Sequence, residues 1–264
     1  MPVRPVSGFA VPFCGRRTSV RFARCTWDAG PVSGAHDRVA VRGTGGASSV
    51  IGVHFRAGGA AAFFGGSLGL LRNQTLLLED RWGPAACELQ ERLQATAQIS
   101  QKFRILEEAL LLRLSTAPPT DPMVMRTLRA LVQDPSVARI TELQCAANCS
   151  PQPFIRRFEA TVGLTPKRYA RVLRFNALLA RLVRAGPRDW ARLAAASGYF
   201  DQSHLIHEFN RLSGLTPTRY RPVGADQPTH VAIANARGLS IFSVSPRCTG
   251  FHAFHFDAFC RPRS

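Results

Sequence analysis

Lysine is almost absent from this chain, although the chain is strongly basic. Of the 34 basic residues only Lys102 and Lys167 are lysines, so arginine carries nearly all of the formal net charge of +17. An arginine-rich surface favours a polyanionic partner, because basic side chains that neutralise phosphates release counterions. An arginine-rich coding bias would give the same composition, so the net charge alone does not identify the partner.

Long apolar runs and an export signal are also missing. No run approaches the roughly 20 apolar residues that a membrane-spanning helix needs. The N-terminus lacks a compact apolar segment followed by a cleavage site. The seven cysteines are odd in number and have no repeated spacing, which favours reduced thiols over a disulfide framework. We therefore expect a cytoplasmic protein with no membrane partner and no cofactor.

The basic charge is concentrated in part of the chain. Residues 134–221 contain 14 basic and 6 acidic residues, whereas residues 61–133 contain 8 and 7. Residues 1–60 carry a smaller excess, with 8 basic and 2 acidic side chains. This distribution places the expected contact with a polyanion mainly in the C-terminal half.

The same C-terminal half contains an internal repeat with an offset of 51 residues. Residues 150–169 read SPQPFIRRFEATVGLTPKRY and residues 201–220 read DQSHLIHEFNRLSGLTPTRY. The motif Gly-Leu-Thr-Pro-x-Arg-Tyr occurs in both copies. A repeat indicates that one supersecondary unit is used twice, and the pattern here is that of a helix-turn-helix.

Proline and glycine divide the rest of the chain. Residues 1–48 read as an irregular N-terminal arm, and residues 49–57 alternate in a way that predicts a strand. Prolines within residues 116–122 predict a break between domains. We predict a mainly α protein with a smaller α+β domain at 49–116, a linker at 117–122, an all-α domain of two helix-turn-helix units joined by a linker helix at 123–222, and an irregular tail at 223–264.

A helix-turn-helix places its second helix in the major groove of DNA, where the first turn of that helix usually contacts bases. The inner face of each such helix is predicted to be apolar and the outer face polar. A joining helix of about 20 residues would span roughly 30 Å, close to the ~34 Å between successive major grooves on one face of the duplex. One chain could therefore place both units on the same face.

At these residues the chain resembles the AraC/XylS family of bacterial transcription regulators. The stretch LAAASGYFDQSHLIHEFNRLSGLTPTRYR at 193–221 resembles the family signature almost throughout, and ITELQCAANCSPQPFIRRFEATVGLTPKRYARVLRF at 140–175 resembles its other half. Two departures are His207, where the family usually carries arginine, and Pro153 in the first reading helix. The resemblance covers roughly residues 122–222 and implies promoter binding, usually as an activator.

Pattern and resemblance together give a set of expected DNA-binding residues. Side chains in the two reading helices are candidates for base contacts, and arginines beside them are candidates for phosphate contacts. The set is Gln152, Ile155, Arg156, Arg168, Arg171, Gln202, Ser203, His204, His207, Arg211 and Arg219. Expected partners are double-stranded promoter DNA, RNA polymerase, a small-molecule effector and a second copy of the chain.

The segment SSVIGVHFRAGGAAAFFGG, with LLLEDRWG after it, is similar to the N-terminal sensor domain of one AraC subgroup. The β-rich beginning of that domain is not evident in residues 1–48. We therefore interpret residues 49–116 as a sensor-like domain whose ligand the sequence does not identify.

A DNA-repair enzyme and an interaction protein that binds DNA only architecturally are the alternatives to this interpretation, and one cluster of residues raises the question of a metal site. Some relatives of the family join this DNA-binding unit to a DNA-repair alkyltransferase with a reactive cysteine, but no cysteine here lies in a recognisable nucleophile motif. Cys248, His252, His255 and Cys260 lie close together in the sequence, but their spacing does not frame a usual zinc turn. We predict neither an enzyme nor a metal site.

Overall fold

The computed structural model describes residues 30–43, 51–185, 190–222, 230–235 and 238–243. The predictions for residues 1–29 and for the cluster at Cys248–Cys260 lie outside these ranges. Among the described helices, none is long and apolar enough to cross a lipid bilayer.

The described residues before the linker form four α-helices, of which α3 and α4 exceed one turn. These helices are α1 at Ala61–Phe64, α2 at Glu79–Trp82, α3 at Pro84–Gln94 and α4 at Ile99–Leu114. Pro84 occupies the first turn of α3, where its missing N–H is not needed. Trp82, Ala86, Leu89 and Ile105 form a small hydrophobic core between these helices.

The remaining helices follow the linker, and their bounds agree with the periodicity of the sequence. They are α5 at Pro122–Gln133, α6 at Val137–Ala146, α7 at Pro151–Val162, α8 at Pro166–Ala185, α9 at Trp190–Ala196 and α10 at Gln202–Ser213. A single core runs through all of this region, and Phe154, Phe158, Phe175 and Phe209 are fully buried in it. We refer to α6–α7 as the first helix pair and to α9–α10 as the second helix pair.

Two short sheets connect distant parts of the chain. Strand β1 at Pro31–Ser33 pairs antiparallel with β3 at Thr75–Leu77. Strand β2 at Ala40–Gly43 pairs with β5 at Gly238–Ser243, which also pairs with β4 at His230–Asn235. The prediction of an irregular tail is therefore wrong for residues 230–235 and 238–243, because their apolar residues acquire a pairing partner from near the beginning of the described chain.

The strand predicted at 49–57 is also wrong where the structure describes it. Residues 51–56 have no regular secondary structure, and residues 57–60 form the predicted turn. The apolar side chains that suggested a strand pack locally instead, since the ring of Phe55 lies 4.8 Å from that of Phe63 and 5.8 Å from that of Phe64. A β-strand requires a neighbouring strand, and the residues that lie beside Phe55 belong to helix α1.

Candidate nucleic-acid interface

Helix α7 separates an apolar face from a polar one. Phe154 and Phe158 are fully buried and Val162 is nearly so, which fixes the helix on the core. Gln152 and Arg156 are exposed, and Ile155 lies between them at 39% exposure. These three residues have the i, i+3, i+4 spacing that places side chains on one helix face.

Helix α10 repeats this arrangement. Leu205, Phe209 and Leu212 are fully buried. On the opposite side Gln202, Ser203, Ile206 and His207 are exposed, Ile206 at 38%. The backbone N–H of His204 donates a hydrogen bond of 2.7 Å to the Asp201 carboxylate, so Asp201 caps the N-terminus of this helix. The four exposed side chains thus lie together in the first two turns of the helix.

His204 lies in the first turn of α10 and also helps to hold the preceding turn. Its Nδ1 accepts a hydrogen bond of 3.3 Å from the backbone N–H of Phe200. Its ring meets that of Tyr199 edge-on, with the ring centroids 5.5 Å apart. One ring nitrogen is therefore occupied within the protein, and only the other is available to a ligand.

Arg171 is largely buried between α8 and α10. Its Nε lies 3.0 Å from a carboxylate oxygen of Glu208, and the two side chains are only 14% and 9% exposed. Burial lowers the pKa of Arg171, while the Glu208 carboxylate opposes that shift. Arg211 lies 3.7 Å from the other oxygen of Glu208 and is half exposed. Glu208, on α10, thus links this helix to α8 through Arg171.

Arg168, at the start of α8, is paired with Asp37 from the N-terminal part of the chain. The amide of Asn73 donates a further hydrogen bond of 2.7 Å to the same carboxylate. Burial raises the pKa of Asp37, but the hydrogen bonds from Asn73 and Arg168 and the charges of Arg168 and Arg72 outweigh it, so the pKa lies below its usual value.

Residues that precede the linker also reach α7. A 3-10 turn at Leu68–Leu71 packs on this helix so closely that a Cβ added to Gly69 would lie 2.8 Å from Cγ of Glu159. Arg72 follows that turn and forms an ion pair of 3.2 Å with Glu159. Glu159 is one helical turn beyond Ile155 and Arg156, so the described N-terminal residues border the exposed face of α7 at its C-terminal end.

The structure therefore divides the predicted DNA-binding residues into two groups. Arg168 and Arg171 form ion pairs with carboxylates of the protein itself. Arg211 makes a longer ion pair with Glu208 and stays half exposed. The other members are exposed on α7, on α10 or, for Arg219, in a 3-10 turn at Pro217–Arg219.

Sequence reasoning missed the carboxylates that hold these arginines. A signal existed for Glu208, which occupies a position in the buried stripe of Leu205, Phe209 and Leu212, because a charge there requires a partner. No local pattern could have identified Asp37, which is 131 residues away from Arg168.

The described cysteines show no sign of an activated nucleophile. Cys87, Cys145 and Cys149 are free thiols. Desolvation and the neighbouring Glu79 carboxylate raise the pKa of Cys87, whereas a reactive cysteine needs a lowered one. No group of three or more potential metal ligands lies together among the described residues.

Comparison with known proteins agrees with this geometry. A family described as a helix-turn-helix domain matches residues 145–222. A protein of Streptomyces antibioticus named as an AraC-like transcription regulator is 37% identical over 102 residues, which cover 38% of this chain and 33% of that protein. A protein of Streptomyces lividans with the same description is 32% identical over 146 residues, 51% of this chain and 48% of that protein.

A third relative is the probable transcriptional regulator LumQ of Photobacterium leiognathi, 32% identical over 83 residues, which are 31% of this chain and 33% of that protein. The matched region thus spans between a third and a half of the length of these relatives. No solved structure matches the chain significantly.

Proposed function

We propose that the chain is a transcription regulator of the AraC type that binds double-stranded DNA in a sequence-specific manner. The match of residues 145–222 to a helix-turn-helix family and the similarity to AraC-like regulators support this proposal. In this proposal α7 and α10 enter two adjacent segments of the major groove. The roles of an activator and of a partner of RNA polymerase follow from the family resemblance alone, as does the homodimeric state.

The observation that carries the proposal is the exposed polar face on each of two equivalent helices. Gln152 on α7 and Gln202 on α10 lie in the first helical turn, opposite fully buried aromatic or aliphatic side chains. Glutamine amides can donate to and accept from adenine in the major groove, and arginine can donate twice to guanine. Arg156 on α7 is exposed for such a contact.

The joining helix supports simultaneous binding by both pairs. Helix α8 has 20 residues, which corresponds to about 30 Å. The Glu208–Arg171 ion pair fixes α10 against it, so the second reading helix has a defined orientation relative to the first. Rigid spacing is required because the two grooves on one face lie ~34 Å apart.

Phosphate contacts are expected first from arginines that no carboxylate holds and that lie outside the two helices assigned to base contacts. Arg219 meets both conditions, since it is exposed and has no ion pair within the described part of the chain. A phosphate contact by Arg168 or Arg171 stays a prediction, and it requires each guanidinium to leave or share its carboxylate.

The experiment that tests the proposal is selection of bound sequences from a random pool of DNA duplexes by the full chain. We expect a defined motif that spans two successive major grooves. Gln202→Ala should relax base preference at one position and weaken binding there by about 1–3 kcal/mol. Gln152→Ala should do the same in the other half of the motif.

A matched control is Asn210→Ala, which removes an exposed amide from the same helix two turns away from its beginning. This variant should leave the selected motif unchanged. Recovery of no motif, or of a motif confined to one groove, would contradict the proposal of two reading helices.

A further inference from the structure

A groove of about 480 Å³ lies where the helices before the linker, the linker itself and α7 meet. A volume of this size accommodates a small organic molecule. Phe63, Phe64, Pro118 and Pro119 supply apolar wall, and Arg81 and Arg113 supply positive charge. Neither arginine belongs to the predicted DNA-binding set, and both lie within the residues interpreted above as a sensor-like domain whose ligand the sequence does not identify.

The two guanidinium groups lack a counter-ion inside the described part of the protein. Neither Arg81 nor Arg113 takes part in any of the ion pairs found there. The carboxylate in the groove wall, that of Asp121, already accepts a 2.9 Å hydrogen bond from the N–H of Met123 and pairs at 2.7 Å with Arg157. The groove therefore presents two positive charges that the fold itself does not neutralise.

Arg113 is held in an orientation that suits a ligand. Its guanidinium carbon lies 4.0 Å from the centroid of the Trp82 ring. Stacking uses the π face of the guanidinium and leaves its N–H groups, which lie in the plane, free to donate. Burial without a compensating carboxylate also lowers the pKa of Arg113, and a bound anion would relieve that cost.

On its remaining side the groove is lined by the backbone of two glycines, which carry no side chains. Gly65 and Gly66 end α1 with φ of 58° and 61°, and a Cβ added to either would meet no atom within 4 Å. The positive φ accounts for glycine at both positions, and the space beside them is open. Two consecutive glycines let a ligand approach the backbone closely.

We propose that this groove binds a small organic oxyanion with an aromatic body, in which Arg81 and Arg113 hold the oxyanion and Phe63 and Phe64 contact the ring. The site is distinct from the DNA-reading faces and does not depend on the proposed function. It touches both the linker and Thr161 of α7, so its occupant would contact the segments that join the two hydrophobic cores.

The test is titration calorimetry on the full chain without DNA, so that its failure is separate from any failure of DNA binding. The probes are phenyl phosphate, inorganic phosphate and phenol. Phenyl phosphate should bind saturably and at least about tenfold more tightly than either fragment, since each fragment retains only one half of the interaction.

Variants locate the binding. Arg81→Gln and Arg113→Gln should each weaken phenyl phosphate binding by about tenfold or more. Arg104→Gln is the matched control, since Arg104 is exposed on the same helix as Arg113 and does not line the groove. Because Arg113 also packs on Trp82, Arg113→Lys is included, and partial retention of binding is expected where charge is retained.

Three results would overturn the proposal. The first is an absence of saturable phenyl phosphate binding by the folded full chain. The second is equal binding of inorganic phosphate, which would remove the role of the apolar wall. The third is an equal loss of binding in Arg104→Gln and Arg81→Gln, which would show a general effect of net charge.

Discussion

The same heptapeptide pattern follows each helix pair but adopts different structures. The proline of Gly-Leu-Thr-Pro-x-Arg-Tyr begins the 20-residue helix α8 in the first copy and a 3-10 turn of three residues in the second. Tyr169 and Tyr220 are both buried and pack on Phe158 and Phe209 with ring centroids 5.9 and 5.6 Å apart. The difference comes from the residues that follow, since Pro222 excludes continuation of a helix.

The turns within the two pairs also differ. A left-handed residue, Asn148, lies two positions before the N-cap residue Ser150, whereas Gly198 lies three positions before Asp201. The additional residue leaves Phe200 with 92% exposure. The repeat therefore conserves the buried side of each pair and varies the turn beside the reading helix.

The neighbours of the two pairs differ most. The first pair is bordered by residues from before the linker through the Arg72–Glu159 and Asp37–Arg168 ion pairs. The positions equivalent to Glu159 and Arg168 are Asn210 and Arg219, both exposed. Glu159 and Asn210 differ in charge, whereas Arg168 and Arg219 are the same residue, so the ion pair made by Arg168 reflects its neighbour Asp37 and not a difference in its own charge.

The largest expected effect is on the free energy of unfolding, when a buried aromatic ring that both pairs contain is removed. Phe158→Ala and Phe209→Ala each remove a fully buried ring at equivalent positions, and each should lower the free energy of unfolding by about 3–5 kcal/mol. Chemical denaturation measures this loss. A difference of several kcal/mol between the two variants would show that the pairs are not equivalent in packing.

A smaller loss of stability is expected when an ion pair is removed, and this loss should differ between the two helix pairs. Glu208→Ala leaves the largely buried Arg171 without a partner and should cost about 3 kcal/mol. Position 157 is the equivalent in the first pair, and there Arg157 pairs with Asp121 at half exposure. Arg157→Ala should therefore cost no more than about 1 kcal/mol, and equal losses in the same denaturation assay would contradict the assigned role of Glu208.

The pairing of Asp37 should make stability depend on pH. Its pKa is lowered in the folded state, so its contribution is present above the unfolded value of about 3.9 and is lost as the pH falls through the folded value. Asp37→Asn should cost roughly 1–2 kcal/mol near pH 7 and progressively less below pH ~4.

The control for this pH effect is Arg219→Gln at the position equivalent to Arg168. Since Arg219 has no carboxylate partner in the described structure, thermal unfolding of that variant should follow the wild type across the same pH range. A cost of Asp37→Asn that did not change with pH would remove the ion pair as its cause.

The smallest expected effect concerns the helix caps. Asp201 accepts a hydrogen bond from the third N–H of its helix, whereas Ser150 makes no such bond with its side chain. Asp201→Ala should cost about 1 kcal/mol. Ser150→Ala should cost less than half of that, because no hydrogen bond is lost, and an equal cost for the two would contradict this difference.

The helices after the linker could be predicted from the sequence because their signals are local. Pro122, Pro151 and Pro166 mark first turns, and three- to four-residue apolar spacing marks the buried faces, so the bounds of α5 to α10 agree closely with the structure. Asp201 has the residue type and position of a helix N-cap, and its side chain makes the capping hydrogen bond. Ser150 has a suitable type and position as well, but it adopts the cap conformation without that bond.

The strands at the end of the described chain were not predicted, and only part of their pairing is distant in sequence. Residues 230–235 and 238–243 became strands and residues 51–56 did not, although the latter alternated more clearly. A β-strand is stabilised by its neighbours. The pairing of β5 with β4 is local, whereas its other neighbour, β2, lies near the other end of the described chain.

The sequence by itself determined which helix faces are apolar, where the helices begin and which side chains of α7 and α10 are exposed, since these depend on residues within a few turns of one another. Only the tertiary structure decided which of the arginines remain free. From the sequence alone, Arg168 and Arg171 are expected to be unpaired surface cations. Folding places Asp37 and Glu208 beside them, because ion pairs form between residues that are close in space even when they are far apart in sequence.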